Sequence, residues 1–148
     1  MDTRFLSAVA GALIAVLVQM TPFAHAFGVT ADISLVFVLL VGVRNGSFPE
    51  YCACAGVPAI VFFSYAGLFR ESAIFFCVMI AAYGVRRAVS WQPWFAYYAL
   101  VVLATLAISS VVGTGPLAAR IPLMLREVVV NLLCAAVLYA IPFRRTRA

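Results

Sequence analysis

The feature that most constrains the fold is a series of six apolar segments that together cover most of the chain. They run from Phe5 to Thr21, Thr30 to Val43, Tyr51 to Phe69, Ser72 to Val85, Trp94 to Val112 and Glu127 to Phe143. A helix needs about 20 residues to cross the ~30 Å hydrocarbon core of a bilayer, and fewer suffice in thin or protein-lined regions. The segments predict an all-α, polytopic bundle of about six transmembrane helices. The second and fourth are the weakest spans because they are short, and either could be re-entrant.

Composition also favours lipid as the solvent. The chain has 148 residues, of which 66% are hydrophobic and 10% are charged, whereas a soluble domain has about 25% charged residues. A small soluble domain leaves much of its surface in water and cannot hide so many apolar side chains. We therefore expect one integral membrane domain over residues 1–148.

Polar and turn-forming residues separate the segments. Arg70, Glu71 and Ser72 predict a polar corner in which Ser72 caps the fourth helix, and in which Arg70 and Glu71 can form an exposed ion pair that contributes little. The stretch Leu117 to Arg126 predicts a short interfacial helix before the sixth span. Pro58, inside the third segment, is expected to kink that helix.

The arginines predict the topology. All ten basic residues are arginine, and the net charge is +5. They stand singly or in short groups between apolar runs and not on one polar face, so they do not indicate nucleic-acid binding. With the N-terminus in the cytoplasm, the cytoplasmic arginines are Arg4, Arg44, Arg86, Arg87, Arg144, Arg145 and Arg147, and those on the opposite side are Arg70, Arg120 and Arg126. This bias satisfies the positive-inside rule and predicts that both termini are cytoplasmic.

The first segment has an alternative interpretation. Arg4, the apolar run and the sequence Ala24-His25-Ala26 also fit a secretory signal peptide with an A-x-A cleavage site. The apolar run is longer than that of a usual signal peptide, which favours a retained helix.

Small residues recur at four-residue spacing on the fourth helix, where Ala73, Cys77 and Ala81 form a stripe. Such faces let helix backbones approach closely in lipid. The four cysteines are expected to act as small, buried apolar residues, because the one histidine and the cysteine spacing do not fit a metal site. No cofactor is expected.

Three polar residues fall within or beside the apolar segments. Asp32 can serve a proton relay or a cation site, but an N-cap of the second helix is favoured. His25 could partner Asp32, although a solvated loop histidine is favoured. Glu127 and Asn131 lie four residues apart and hence on one helix face. Asn131 can bind a ligand, but a hydrogen bond to another helix is the favoured role.

Catalytic patterns are absent from the sequence. It contains no nucleophile elbow, no glycine-rich phosphate loop and no histidine pair for a metal, so we expect no enzyme. Tyrosines in four of the segments could line a pocket for an aromatic or vitamin-like ligand, but packing or interfacial roles are favoured. They are Tyr65, Tyr83, Tyr97, Tyr98 and Tyr139.

Several short stretches carry a family resemblance: an acid opening an apolar run, a basic glycine-bearing turn, a Tyr-Gly-basic helix end and the last apolar helix. They read Asp32-Ile33-Ser34-Leu35, Val43-Arg44-Asn45-Gly46, Ala82-Tyr83-Gly84-Val85-Arg86-Arg87 and Glu127-Val128-Val129-Val130-Asn131. In order and spacing, residues 30–148 resemble the rod shape-determining protein MreD, a small bacterial inner-membrane protein of about six helices. The chain departs from the family at Tyr65 to Ser72, where members carry an acid and a Ser-Gly, and at Ala31, where they have proline.

The resemblance implies a non-enzymatic scaffold of the cell-elongation machinery, which directs rod shape and peptidoglycan synthesis. Its partners would be membrane lipid, the bitopic protein MreC and other elongation-complex proteins. The family fold is similar to the S components of energy-coupling-factor vitamin transporters, so a substrate-binding S component is one alternative. A small proton-coupled permease that uses Asp32 or Glu127 is another. The candidate functional residues are Asp32, Arg44, Arg70, Glu71, Ala81, Glu127 and Asn131.

Overall fold

The structure, a computed structural model, describes residues 3–21, 25–26, 29–44, 47–66 and 69–141. These residues contain six α-helices, so the all-α prediction is confirmed. The helices are α1 (Thr3–Gln19), α2 (Ile33–Arg44), α3 (Phe48–Ala66), α4 (Phe69–Ala88), α5 (Pro93–Val112) and α6 (Leu117–Ala140). Between α1 and α2, the two-residue strands β1 (His25–Ala26) and β2 (Val29–Thr30) pair antiparallel.

The short helix α2 is the centre of the bundle. It contacts each of the other five helices, and every residue from Ser34 to Leu40 is buried. A helix that is apolar all round is typically a buried one, which explains why α2 lacks a polar face. Its 12 residues extend only about 18 Å at a rise of ~1.5 Å per residue. The 20 residues of α5 extend about 30 Å.

One end of the bundle, where α2, α4 and α6 end and α3 and α5 begin, is filled with tyrosines. The fully buried Tyr51 donates its hydroxyl to the Met79 carbonyl at 2.8 Å. Tyr97, also fully buried, donates to the Val36 carbonyl at 3.2 Å, and its ring stacks on Tyr139 with centroids 5.5 Å apart. We call this region the tyrosine end. These tyrosines pack helix against helix.

Arg44 closes the tyrosine end. Its guanidinium donates to the carbonyl of Tyr139, in the last turn of α6, and to the carbonyl of Ile141, the C-cap of that helix. The same guanidinium lies 5.0 Å from the centroid of the Tyr139 ring. Helix C-termini have carbonyls without intrahelical partners and a negative dipole end, so a cation there is favourable.

Two predicted boundaries are wrong. Arg70, Glu71 and Ser72 do not form a corner, because α4 begins at Phe69 and includes all three. Arginine and glutamate are good helix formers, and an acid suits the first turn of a helix. Ser72 is therefore not a cap; it is buried, and its hydroxyl oxygen has no hydrogen-bond partner among the described residues.

The interfacial helix predicted for Leu117 to Arg126 is also wrong, because these residues are the first part of a continuous 24-residue α6. Leucine, alanine and methionine favour helix throughout this stretch, and one proline, Pro122, does not end it. Gly115, with φ +92°, makes the turn between α5 and α6 in a conformation that favours glycine.

In the described part of the chain, α5 and α6 are the two helices that are long and apolar enough to cross a membrane, by length and composition. Of the two remaining long helices, α3 has Glu50 in its first turn, and α4 has charged residues in both end turns. On α6 the apolar residues Leu125, Val129, Leu133 and Val137 recur every four residues, and each is more than half exposed. An exposed apolar face of this kind indicates a surface that meets lipid or another protein.

Some sequence predictions lie outside the described residues. These are the Asn45-Gly46 turn, the arginine tail with Arg144, Arg145 and Arg147, and Ala24 of the possible cleavage site.

Candidate functional site

A cavity of about 270 Å³ lies at the end of the bundle opposite the tyrosine end. It occupies the space that the short α2 leaves beside α1, α5 and α6. Its polar lining consists of Gln19, Asp32, Thr105, Ser109, Arg120, Glu127 and Asn131. Its apolar lining includes Leu35, Ile108, Val112, Leu123 and Met124. We call it the polar cavity.

Side chains around the polar cavity accept hydrogen bonds from the backbone N–H groups at the buried N-terminus of α2. The Asp32 carboxyl accepts the Leu35 N–H at 3.0 Å, which makes Asp32 the N-cap. The Gln19 side-chain oxygen, at the end of α1, accepts the Ser34 N–H at 3.0 Å. The first N–H groups of a helix have no intrahelical acceptor, and they need one wherever water is excluded. A helix can begin inside the bundle because these side chains supply acceptors.

Asn131 joins three elements. Its side-chain oxygen accepts the Asp32 N–H at 2.8 Å, and its side-chain nitrogen donates to the Thr105 hydroxyl oxygen at 3.0 Å. Asn131 is only 2% exposed, so both ends of its amide require partners. This residue therefore connects α6 to the start of α2 and to the middle of α5.

Glu127 and Arg120 form the opposite wall, at the junction of α5 and α6. The Ser109 hydroxyl donates to the Glu127 carboxylate. The Arg120 guanidinium donates to the Ser109 carbonyl and to the Gly113 carbonyl, the latter at 2.8 Å. A β-carbon at position 113 would collide with this guanidinium. Arg120 thus caps the C-terminus of α5, as Arg44 caps that of α6.

The structure brings three of the seven predicted residues together in the polar cavity: Asp32, Glu127 and Asn131. The others lie elsewhere. Arg44 is at the tyrosine end, and Arg70 is exposed and donates to the Val111 carbonyl at 3.1 Å. Glu71 is in the first turn of α4, and Ala81 is exposed on the same helix.

Sequence reasoning missed Gln19, Thr105, Ser109 and Arg120 as members of the site. Gln19 and Arg120 act on the ends of helices other than their own, and no local pattern indicates such a role. For Arg120 the one available signal is Gly113, a glycine at a helix end that leaves room for a guanidinium.

A second surface feature lies on α4. Ala73, Cys77 and Ala81 are all exposed, at four-residue spacing along one face. We call this face the α4 stripe. The expectation that the cysteines are buried is therefore wrong for Cys77, because it points away from the bundle. At one end of the stripe a groove of about 210 Å³ lies between α3 and α4, with Ile60 and Phe76 in its lining.

The chemistry available in the polar cavity is that of two carboxyl groups, one guanidinium and several neutral hydrogen-bonding groups. Among the described residues, no group of three or more histidine, cysteine or acidic side chains could hold a metal ion. Comparison of the chain with known proteins adds no relative: no protein-family model, curated protein or solved structure matches it.

Proposed function

We propose that the chain is a multi-pass protein of the bacterial inner membrane and a non-enzymatic scaffold of the cell-elongation machinery. In this proposal it docks a single-span, MreC-like partner helix on the α4 stripe. The resemblance of residues 30–148 to the MreD family suggests the machinery and the partner. The observation that carries the docking proposal is the exposure of Ala73, Cys77 and Ala81 on one face of α4.

The exposed apolar residues of α6 and the arginine distribution support the proposed topology. In it all six helices cross the membrane and both termini are cytoplasmic. The tyrosine end then faces the cytoplasm, and the polar cavity opens to the outside. Arg70 and Arg120 lie near the cavity, whereas Arg44, Arg86 and Arg87 lie at the tyrosine end. This distribution follows the positive-inside rule. A C-terminal alkaline phosphatase fusion should then be inactive.

Helix packing in lipid explains why the α4 stripe suits a partner helix. Lipid tails are as apolar as leucine, so transmembrane helices associate mainly through close packing, and small side chains allow their backbones to approach. Because the stripe is exposed, it is not used to pack the bundle itself. The adjacent groove between α3 and α4 can receive the larger side chains of the partner.

The hydrogen bonds in the cavity support a scaffold over a catalyst. Ser109, Asn131 and Arg120 are already bonded to groups at helix ends or on neighbouring helices. These bonds stabilise the junctions between helices, which is a structural task.

The polar cavity favours a second candidate, a substrate-binding S component of an energy-coupling-factor transporter. Such a subunit holds its small ligand on the outer side of the membrane, where the proposed topology puts this cavity. A proton-coupled permease would use the same two acids, Asp32 and Glu127, as proton carriers.

Affinity purification of the tagged chain from native membranes tests the scaffold proposal. Three versions are compared: the wild type, Ala81→Leu on the α4 stripe, and Ala136→Leu as a control on the exposed side of α6. The wild type and the control should recover an MreC-like single-span protein, and Ala81→Leu should recover at least about fivefold less because the larger side chain separates the backbones. Recovery of ATPase subunits in place of that protein would favour the S component. Equal recovery by all three versions would show that the stripe faces lipid.

A further inference from the structure

The two carboxyl groups of the polar cavity can accept more hydrogen bonds than the structure shows them to accept. Asp32 and Glu127 are both partly exposed, and both line the cavity. Among the described residues, Glu127 accepts from one donor, the Ser109 hydroxyl, and Asp32 from two, the Leu35 N–H and the Gln19 side chain. A carboxylate offers about four acceptor sites. Two carboxyl groups from different helices can therefore accept further hydrogen bonds from one bound group.

The charges of the cavity lining favour a positively charged ligand as the hydrogen-bond donor. Two carboxyl groups face the cavity, and the one guanidinium in its lining, Arg120, is bound to backbone carbonyls at the end of α5. Charges interact more strongly in a partly dry site than in water, because the effective dielectric constant is lower. An anion in the cavity would be repelled by both acids, whereas a cation is attracted by both.

The rest of the lining selects an organic cation over a metal ion. Asp32 and Glu127 are the two acids in the cavity lining, and Leu35, Ile108, Leu123 and Met124 form an apolar wall next to them. Metal sites for hard cations require six or more oxygen ligands or several waters. A ligand with an ammonium group and an apolar body matches both parts of the lining. The volume of about 270 Å³ lies just below the ~300–1,000 Å³ of pockets for drug-sized ligands, so the ligand is small.

We propose that the polar cavity binds a small organic cation, a primary ammonium with an apolar body, and that its charge is held between Asp32 and Glu127. The apolar body then contacts Leu123 and Met124. This inference does not depend on the scaffold function, because the cavity and the α4 stripe are separate surfaces.

Titration calorimetry on the full chain in detergent, with 2-phenylethylamine as the probe, tests this proposal. The neutral analogue 2-phenylethanol has nearly the same shape and controls for partition into the micelle. The wild type should bind the amine saturably with one site per chain and should bind the alcohol at least about tenfold more weakly, because the alcohol has no positive charge and donates one hydrogen bond where the ammonium donates three. No saturable binding of the amine, or equal binding of the alcohol, would overturn the proposal.

Two variants remove the charges while they keep the fold. Asparagine is as good an N-cap as aspartate, so Asp32→Asn preserves the start of α2. Glu127→Gln keeps an acceptor for the Ser109 hydroxyl. Each should weaken binding of the amine by about tenfold or more. Glu50→Gln, which removes the same charge in the first turn of α3 at the tyrosine end, should leave binding unchanged. If Asp32→Asn and Glu127→Gln bind the amine as tightly as the wild type and the Glu50→Gln control do, the site is not the polar cavity.

A further variant tests the cavity without changing its charge. Met124→Phe adds volume to the apolar wall and should reduce binding of the amine at least about tenfold by occlusion, with unchanged thermal unfolding as evidence that the bundle is intact. Undiminished binding in Met124→Phe would contradict the proposed position of the apolar body.

Discussion

The two ends of the bundle share a way of capping helices but differ in how the space between the helices is filled. At both ends an arginine caps the last carbonyls of a helix: Arg44 at α6 and Arg120 at α5. At the tyrosine end, large aromatic rings fill the space between the helices. At the other end the central helix begins inside the bundle, and polar side chains surround a cavity. Helix capping is thus common to both ends, and the filling of the space between the helices distinguishes a closed end from an open one.

The largest expected effect of a substitution on the stability of the bundle is at the tyrosine end. Tyr97→Ala should lower the free energy of unfolding by about 3–5 kcal/mol, because it leaves a large void and removes the hydrogen bond to the Val36 carbonyl. Trp94→Ala, three residues earlier on α5, should cost less than about 1 kcal/mol because Trp94 is half exposed. Reversible unfolding in mixed micelles measures both. Similar losses for the two variants would show that the tyrosine end is not tightly packed.

An intermediate effect is expected from Gly42→Ala, where α2 meets α3. A β-carbon at Gly42 would lie 2.6 Å from the Tyr51 ring, and this ring is fully buried and hydrogen-bonded. We expect a loss of about 1–3 kcal/mol from overpacking. Gly84→Ala on α4 is the matched control: nothing lies within 4 Å of its β-carbon, so it should stabilise by about 0.5–1 kcal/mol through helix propensity. The critical result is that the free energy of unfolding falls in Gly42→Ala and rises in Gly84→Ala.

The smallest expected loss of stability is at the cavity end. Asn131→Ala removes the acceptor of the Asp32 N–H and the donor to Thr105. At about 0.6 kcal/mol for an average hydrogen bond between transmembrane helices, the loss should be roughly 1–2 kcal/mol. Leu133→Ala, on the exposed side of α6, should change stability by less than about 0.5 kcal/mol. A loss for Asn131→Ala as large as that for Tyr97→Ala would mean that the cavity end is packed as tightly as the tyrosine end.

The sequence predicts the helices better than it predicts the site. Apolar runs locate all six helices because hydropathy is a property of each residue, and the errors fall at helix starts, where Arg70 and Glu71 predict a corner and the structure has a first turn. Asp32 and Asn131 were each identified, but their hydrogen bond joins residues 99 positions apart. No periodicity encodes that pairing. Arg120 was interpreted only as a marker of topology, because its bonds go to carbonyl groups, which every residue has.

The length of α2 bears on how the chain enters the membrane in the proposed six-span topology. A segment of 12 residues is too short to partition into lipid on its own as it leaves the ribosome. Two acceptor groups that fix its ends are supplied by α6, which follows it in the chain: the amide of Asn131 for the Asp32 N–H, and the carbonyl of Tyr139 for Arg44. In that topology the central helix can therefore complete the hydrogen bonds at its two ends only after α6 has been synthesised.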